Sequence, residues 1–373
     1  MKSYKIRLTS LTPLHIGTGE FYDPTNFIID NGYLYEFDEM EFFKNLDNRG
    51  KQNFLRAVES QANESLFEVH RVIKQNKNIA KKAYNHKVQV SKGIEKDYEN
   101  KVGRTVQIEG GRRINKRKVF NQFQIAKTSR LPNNKKVYIP GSSIKGALLT
   151  AFGEFVFKNN RKLFNEMFRD CLPSQEGNIF KNITLSDAKP LKTFAVVGYA
   201  LNKERFEDDE LGPKTIVETI YSSDKQQSEF EVELNIKGED ELLSFENIKK
   251  ACNEHYLPIF EQQFKAYATF RGKKVDDFTN EYFSDSFYEK YKNFKLKENQ
   301  FLVRVGKYSQ ARAVTIDGMR KIRVKLSGGG PRRTPNKWAT LDQETTTWMF
   351  GFNEKSNSNL MPFGWVVCEV KNG

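Results

Sequence analysis

The sequence predicts an α+β protein built as two units, each a small sheet covered by helices. Three observations carry that prediction. Short runs that alternate apolar and polar residues recur between stretches whose apolar residues fall at offsets of three and four. A strand that runs straight into a glycine loop occurs near the start and again after residue 300. A chain of 373 residues suits two domains, at about 100–200 residues each. The division is expected near 185–200, giving units 1–190 and 191–373.

Taken in order, Tyr4–Leu11 (YKIRLTSL) puts Tyr4, Ile6 and Leu8 on one face and Lys5, Arg7 and Thr9 on the other, the pattern of a half-buried strand. A Pro/Gly-punctuated loop, TPLHIGTGE, follows. NFIIDNGYLYEFD reads as a hairpin around Asp30-Asn31-Gly32, and Asp38 as the N-cap of the next helix. Residues 52–82 read as helical. The stretch 86–136 has little apolar periodicity and reads as an insertion or mobile loop. VYIPGSSIKGALLTAFGEFVF predicts a short strand, a glycine turn and a helix with Ile144, Ala147, Leu148, Ala151, Phe152 and Phe155 in one stripe. ITLSDAKPL and FAVVGYAL read as strands, and TIVETIYS with EFEVELNI as two arms of a hairpin. A long helix is expected over 245–268, interrupted near Pro258. FLVRVGKYSQ, RKIRVKL and PFGWVVCEV supply the last strands.

Composition bounds the function. No apolar run reaches the 18 residues of a membrane span, and the start of the chain carries no signal-peptide core. The three cysteines, Cys171, Cys252 and Cys368, lie far apart, which suits a reducing compartment and gives no CxxC pair for zinc. A cytoplasmic protein is expected. The net charge of +14 favours a polyanionic partner, nucleic acid or an anionic membrane. The charge is segregated. His86–Lys136 holds 14 Lys and Arg against 4 acids, including Arg112 and Arg113; Glu204–Glu241 holds 13 acids against 4 basic residues; Leu302–Lys337 holds 10 basic residues and the single acid Asp317. Charge runs are ordinarily solvated faces, but two basic blocks interleaved with glycine and hydroxyl residues point to a polyanion.

Residues 141–146 read Gly-Ser-Ser-Ile-Lys-Gly. A nucleotide-binding P-loop has four residues between its glycines and Lys-Ser/Thr directly after the second. Here Lys145 precedes Gly146 and Ala147 follows it, so no hydroxyl is set to hold magnesium, and nucleotide hydrolysis is excluded. Backbone chemistry remains. Glycine lets the chain approach an anion closely, and the N–H groups at a helix start carry partial positive charge. Ser142 and Ser143 either cap the helix or donate to phosphate oxygens, and Lys145 adds a point charge. A serine-capped strand-to-helix turn accounts for the same residues.

HIGTGE (His15–Glu20) repeats these ingredients in Gly17, Thr18 and Gly19. His15 is a candidate general base for RNA cleavage, but no second group is tied to it by sequence, and a structural histidine is the plainer reading. Lys307 follows the later glycine. SGGGPRRTP sets Arg332 and Arg333 beside three glycines, and guanidinium forks match phosphate in a bidentate way; a surface loop is the alternative. Phe120, Phe123 and Tyr308 lie in or beside basic runs, where rings can stack on bases. Glu207–Glu210 reads as solvated acid rather than a metal site, and the four histidines show no metal-ligand spacing. A hairpin turn explains Asp30, and an Asp-Pro loop explains Asp23. No metal, cofactor or catalytic residue is expected.

Together LTPLHIGTGE, YIPGSSIKGALLTAF, LVRVGKYSQ and the late GGGP before PFGW resemble a RAMP protein of a CRISPR system. More narrowly, the chain is similar to the fifth Csm subunit of type III-A effector complexes; sister type III-B subunits share PGSSIKG-like loops. The resemblance spans both ends of the chain and does not cover 86–136 or the acidic middle. It implies two ferredoxin-like, RRM-like units with helical and basic insertions. It also implies a subunit that caps the backbone filament near the 3′ end of the CRISPR RNA, contacts the backbone subunit, and supports RNA maturation by recruited nucleases in antiviral defence. Gly17, Thr18 and Gly19 match the first loop of the family, and Gly141, Ser142, Ser143, Lys145 and Gly146 the second. The RNA-cleaving aspartate of the backbone subunit has no matching motif at Asp23 or Asp30. The expected function is a non-catalytic RNA-binding scaffold. A metal-independent endoribonuclease using His15 is the alternative, and a membrane-surface protein a third for which no basic amphipathic helix is apparent.

Overall fold

The computed structural model describes residues 1–59, 62–103, 106–109, 117–120, 123–169, 172–173, 177–204, 214–263, 283–327, 337–341, 344–356 and 358–371. β1 (Lys2–Ser10) alternates as expected, with Ile6, Leu8 and Ser10 buried between more exposed neighbours. β2 (Gly17–Tyr22) follows, and part of the anticipated loop is therefore a strand. β3 (Phe27–Asp30) and β4 (Tyr33–Phe37) form the hairpin. Asn31 and Gly32 at its turn take φ of 52° and 77°, the two left-handed positions of a type I′ connection. Asp38 caps α1 (Glu39–Asn45), its Oδ1 accepting from the Glu41 amide at 2.9 Å. α2 (Asn48–Glu59), α3 (Ala62–Gln75) and α4 (Lys77–Lys82) complete a helical unit with its own small core of Phe37, Phe42, Leu46, Val72 and Ile73.

The basic stretch 86–136 is not an insertion throughout. β5 (Tyr84–Val90), α5 (Lys92–Lys101) and β8 (Ile125–Thr128) belong to the body of the fold, with a hairpin of β6 (Val106–Glu109) and β7 (Arg117–Phe120) between them. Val88, Val90, Ile94, Tyr98 and Ile125 are buried in the main core. A few apolar side chains carry the segment inside, while lysine stems lie along the surface and hide the periodicity.

α6 (Gly141–Asn159) buries the whole predicted stripe and leads into α7 (Arg161–Met167) and the small pair β9 (Phe168–Arg169) and β10 (Leu172–Pro173). The strands β11 (Ile183–Leu185), β12 (Lys189–Lys192), β13 (Ala195–Glu204), β14 (Lys214–Ile220) and β15 (Glu229–Ile236) precede α8 (Phe245–Gln262). Pro258 does not interrupt that helix. The chain ends through β16 (Gln300–Arg304), the hairpin β17 (Ile322–Ser327) and β18 (Lys337–Leu341), and then β19 (Thr346–Gly351), β20 (Met361–Pro362) and β21 (Trp365–Val370).

Two sheets organise these strands. The first has the order β11-β15-β1-β21-β16, with β12 also on β15. Leu8 of β1 faces Phe230 on one side and Cys368 on the other. The second has the order β2-β8-β14-β13-β5-β4-β3, with β19 on β13 and β20 on β19. β14 and β15 are therefore not a hairpin. Ser222 and Ser228 close a loop between them, the Ser228 amide donating to the Ser222 hydroxyl at 2.9 Å, and the chain changes sheets there. Each sheet draws strands from both sides of residue 190. α6 and α8 pack on each other and on β16, over a core in which Trp365 and Phe152 are fully buried.

Candidate functional site

Three glycine-bearing segments meet at one cleft of about 490 Å³. Ile16 precedes β2 and Gly17 opens it; Ser142, Ser143, Gly146 and Thr150 come from the first turns of α6; Gly306, Lys307 and Ser309 come from the loop after β16. Arg304 lies in its lining, and no lining residue is acidic among the described residues.

The fold fixes these segments through the backbone. The Lys307 amide donates to the His15 carbonyl at 2.9 Å, and the Gly364 amide to that of Pro13 at 2.9 Å. Leu14 pairs with Ile220 at the end of β14. Gly306 takes φ of +99°, and a Cβ there would stand 2.8 Å from the His15 carbonyl oxygen, so only glycine lets the two loops approach so closely. Ser309 donates its hydroxyl to the Gly306 carbonyl at 2.8 Å. Arg304 is 1% exposed; its Nε donates to the Phe363 carbonyl at 2.9 Å, and the guanidinium stacks 4.9 Å from the Trp365 ring centre. A fixed positive charge thus lies in the cleft wall beside that of Lys307.

Beneath the first loop lies a buried polar network that sequence reasoning missed. Glu218 is fully buried. Its carboxylate accepts from Tyr22 Oη at 3.1 Å, from the Thr128 amide at 3.1 Å and from Arg130 Nε at 2.9 Å, and Arg130 makes a second contact through its terminal nitrogen. Thr128 in turn accepts from the Ile16 amide at 3.1 Å. The Glu218 carbonyl lies 2.8 Å from His15 Nδ1. Burial pushes the Tyr22 hydroxyl well above its usual pKa, with the Glu218 charge acting in the same direction. Burial is also the main cause that lowers the His15 pKa; the Glu218 carbonyl opposes it, and the Lys307 charge adds to the lowering. An acid at the centre of an apolar strand, TIVETIYS, was the one signal that pointed to Glu218.

The other candidates divide. Gly141 is the first helical residue, not a turn: a Cβ there would stand 2.6 Å from the Ser186 carbonyl oxygen. Its amide donates to Asp187 at 2.8 Å, so a carboxylate from the β11–β12 connection satisfies the helix start and the serines do not cap it. Lys145 donates to the Ile183 carbonyl at 2.6 Å and is not in the cleft lining; burial lowers its pKa. Thr18 and Gly19 continue along the exposed part of β2. Phe123 and Tyr308, expected to stack on bases, are core residues at 3% and 5% exposure. Tyr308 packs on Trp348, Phe363 and His15. Asp30 is held by Lys77 and Lys81. Its carboxyl lies below the usual value: burial alone would raise it, but the hydrogen bonds and charges of the two lysines win. Arg112, Arg113, Arg332, Arg333 and Glu207–Glu210 lie outside the described residues, as does the Phe120 side chain. Among the described residues no group of three His, Cys, Asp or Glu side chains is arranged to hold a metal ion, and no helix is long and apolar enough to cross a membrane.

A second cleft of about 390 Å³ adjoins the first and shares Gly146, Thr150 and Val314 with it. Leu149, Phe168, Ile316 and Met319 make it apolar, and Arg320 and Lys321 complete it.

The same architecture occurs in solved structures. A chain in the cryo-EM structure of a Csm–crRNA–target RNA ternary complex of a type III-A CRISPR-Cas system is similar over 99% of this chain and 100% of that one, with a TM-score of 0.60 and 17% identity. Csm5 of T. onnurineus is similar over 97% of this chain and 99% of that one, with a TM-score of 0.51 and 14% identity. No curated protein matches the sequence. The model of the RAMP superfamily matches residues 7–338, a span that includes His15, the start of α6 and Lys307. The chain belongs to the RAMP superfamily.

Proposed function

We propose that this chain is a non-catalytic RNA-binding subunit of a type III-A CRISPR (Csm) effector complex. In this reading it caps the backbone filament near the 3′ end of the CRISPR RNA, contacts the backbone subunit, and supports maturation of the RNA by recruited nucleases. It is cytoplasmic and acts in antiviral defence. The reading takes with it two ferredoxin-like units, but each would be built from strands on both sides of residue 190 rather than from 1–190 and 191–373 separately. The observation that carries it is the cleft. Glycine backbone, the hydroxyls of Ser142, Ser143 and Ser309, Lys307 and the fixed Arg304 line one groove that is free of acids among the described residues, which is chemistry for a sugar-phosphate backbone of any sequence. Likeness to a chain in a Csm–crRNA–target RNA complex supports that choice of polyanion. The apolar second cleft beside it suits an unstacked base.

Salt dependence of RNA binding tests the cleft. Each phosphate contact contributes about 0.7 to the log–log slope for a single strand. Lys307→Ala is expected to lower the slope by about that amount, whereas Lys145→Ala, whose ammonium is spent on the Ile183 carbonyl, should leave it unchanged. The opposite pattern would refute the assignment. RNA that co-purifies with the tagged chain should be repeat-derived and should come with Csm subunits rather than those of a type III-B complex. Repeat RNA incubated with the protein in EDTA should remain intact; site-specific scission abolished by His15→Ala would make the protein an endoribonuclease instead.

A further inference from the structure

Tyr33, Tyr35 and Tyr84 form a chain of rings on the face of the second sheet turned away from the main core. Tyr33 and Tyr35 are two apart on β4 and so share a face. Leu34 between them is buried in the main core on the other side. The Tyr35 ring packs on the small helical core. It lies 6.3 Å from the Tyr33 ring and 5.7 Å from that of Tyr84, the first residue of β5. α4 packs on β3 and β4, yet Tyr33 and Tyr84 remain 39% and 46% exposed.

The uncompensated charge around these rings is positive. Lys87 lies opposite Tyr35 in the β4–β5 pairing, and its ammonium stands 5.3 Å from the centre of the Tyr33 ring. Lys81 stands 5.3 Å from that of Tyr35. Asp30, opposite Tyr33 on β3, is an acid of this face, and Lys77 and Lys81 both bind it. The Glu95 carboxylate is engaged by the Gly32 amide at 3.0 Å. Cross-strand aromatic pairing stabilises a sheet and accounts for Tyr35 beside its neighbours. It gives no reason for lysines to gather where the outer rings are open to solvent.

We propose that this face is a stacking platform for single-stranded RNA, with unstacked bases on Tyr33 and Tyr84 and a phosphate on Lys87. Rings interleaved with cations hold single strands without reading their sequence, because every base has a π-face. An acidic peptide would satisfy the lysines and leave the rings unused; a nucleotide uses both. A cation over an exposed ring is worth less than a stacked base, so the Tyr33 ring gains by exchanging Lys87 for a base while the lysine takes the phosphate. β4 is five places from β2 in the sheet order, about 24 Å along the sheet, which sets the platform apart from the cleft. The choice of RNA as the strand rests on the proposed function; the arrangement of rings and lysines does not.

The test is an anisotropy titration of a labelled single-stranded RNA with the full-length protein. Tyr33→Ala and Tyr84→Ala are each expected to weaken binding about tenfold and to leave the salt slope unchanged, whereas Tyr84→Phe should bind as wild type does. Lys87→Ala should lower the slope by about 0.7; its side chain is exposed, which covers the case in which a tyrosine variant melts early. The tyrosine effects should recur in full on a Lys307→Ala background, because separated sites act additively. Tyrosine and Lys87 variants that bind RNA like wild type overturn the proposal and leave the cleft standing. So do variants that lose polyglutamate binding and keep RNA binding, the mark of an acidic protein partner. Sensitivity to the tyrosines with none to Lys307→Ala would keep the platform and remove the cleft. Wild-type protein that binds no RNA overturns both readings.

Discussion

Glu218 shares its buried carboxylate among Tyr22, Arg130 and the Thr128 amide, while its carbonyl fixes the His15 ring. One residue thus holds the first glycine loop from below without reaching the cleft. Removing one partner of a buried pair leaves the other charge uncompensated, at about 3–5 kcal/mol. Glu218→Gln is expected to lose stability of that order, because the Arg130 side chain is only 14% exposed. A urea midpoint unchanged from wild type would show that the pair adds nothing. Gly306→Ala combines a left-handed backbone with a 2.8 Å approach to the His15 carbonyl; it should cost about 1–3 kcal/mol and weaken RNA binding along with it. Much of this site was legible in the sequence, since glycines beside hydroxyl and basic residues mark close backbone approach. Glu218 was not, because an acid in a short strand ordinarily marks the exposed face. The target of Lys145 was also hidden, since its carbonyl partner lies 38 residues away and leaves no local pattern.

At the scale of elements, α6 and α8 are joined by a buried hydrogen bond as well as by their apolar stripes. Glu154 on α6 lies 2.8 Å from His255 Nδ1 on α8, and it accepts from Lys158 and from the Asp317 amide at 2.9 Å. Burial alone would raise its carboxyl; the hydrogen bonds and charge of His255, then Lys158 and the amide, outweigh burial and hold it at about 2, against a usual 4.5. A carboxyl depressed on folding contributes stability that is complete above the unfolded value and is lost as pH falls through the folded one. The contribution, of order 3 kcal/mol, should therefore disappear between about pH 4.5 and pH 2. Glu154→Gln should be less stable at pH 7 and show a flatter acid limb in that window; parallel acid limbs for the two proteins would exclude the linkage. The α6 stripe and the type I′ hairpin could be read in advance because their periods and turn residues are local. The pairing of β14 could not. Its last four residues are all buried, the mark of a strand covered on both faces, yet a period-two pattern assigns a face and never a neighbour.

Over the whole molecule, strand partners lie far apart in sequence. β1 pairs with β15 and β21, β8 with β14, and β5 with β13. The cleft sits where these long connections close, since His15, the end of β14, Lys307 and Gly364 are bonded within one cluster of backbone contacts. That arrangement bears directly on the proposed two units. A chain cut after residue 190 keeps β1 but removes both of its neighbours, and it leaves β5 and β8 without β13 and β14. Unpaired strands with one apolar face are templates for association rather than folded edges. Neither 1–190 nor 191–373 is therefore expected to fold alone: each should elute as aggregate on size exclusion and melt without a cooperative transition. Expressed together, the two pieces should reassemble, because the break falls within β12, a four-residue strand paired with β15, just before the chain passes from the first sheet to the second, and it leaves the other strand pairs uncut. The reassembled protein should recover RNA binding with the salt slope of the intact chain, since every cleft residue is then present and held as before. A monomeric, cooperatively melting 1–190 would show instead that its half of the chain finds a closed sheet of its own, and that the long-range pairs add affinity between two autonomous units rather than creating the fold.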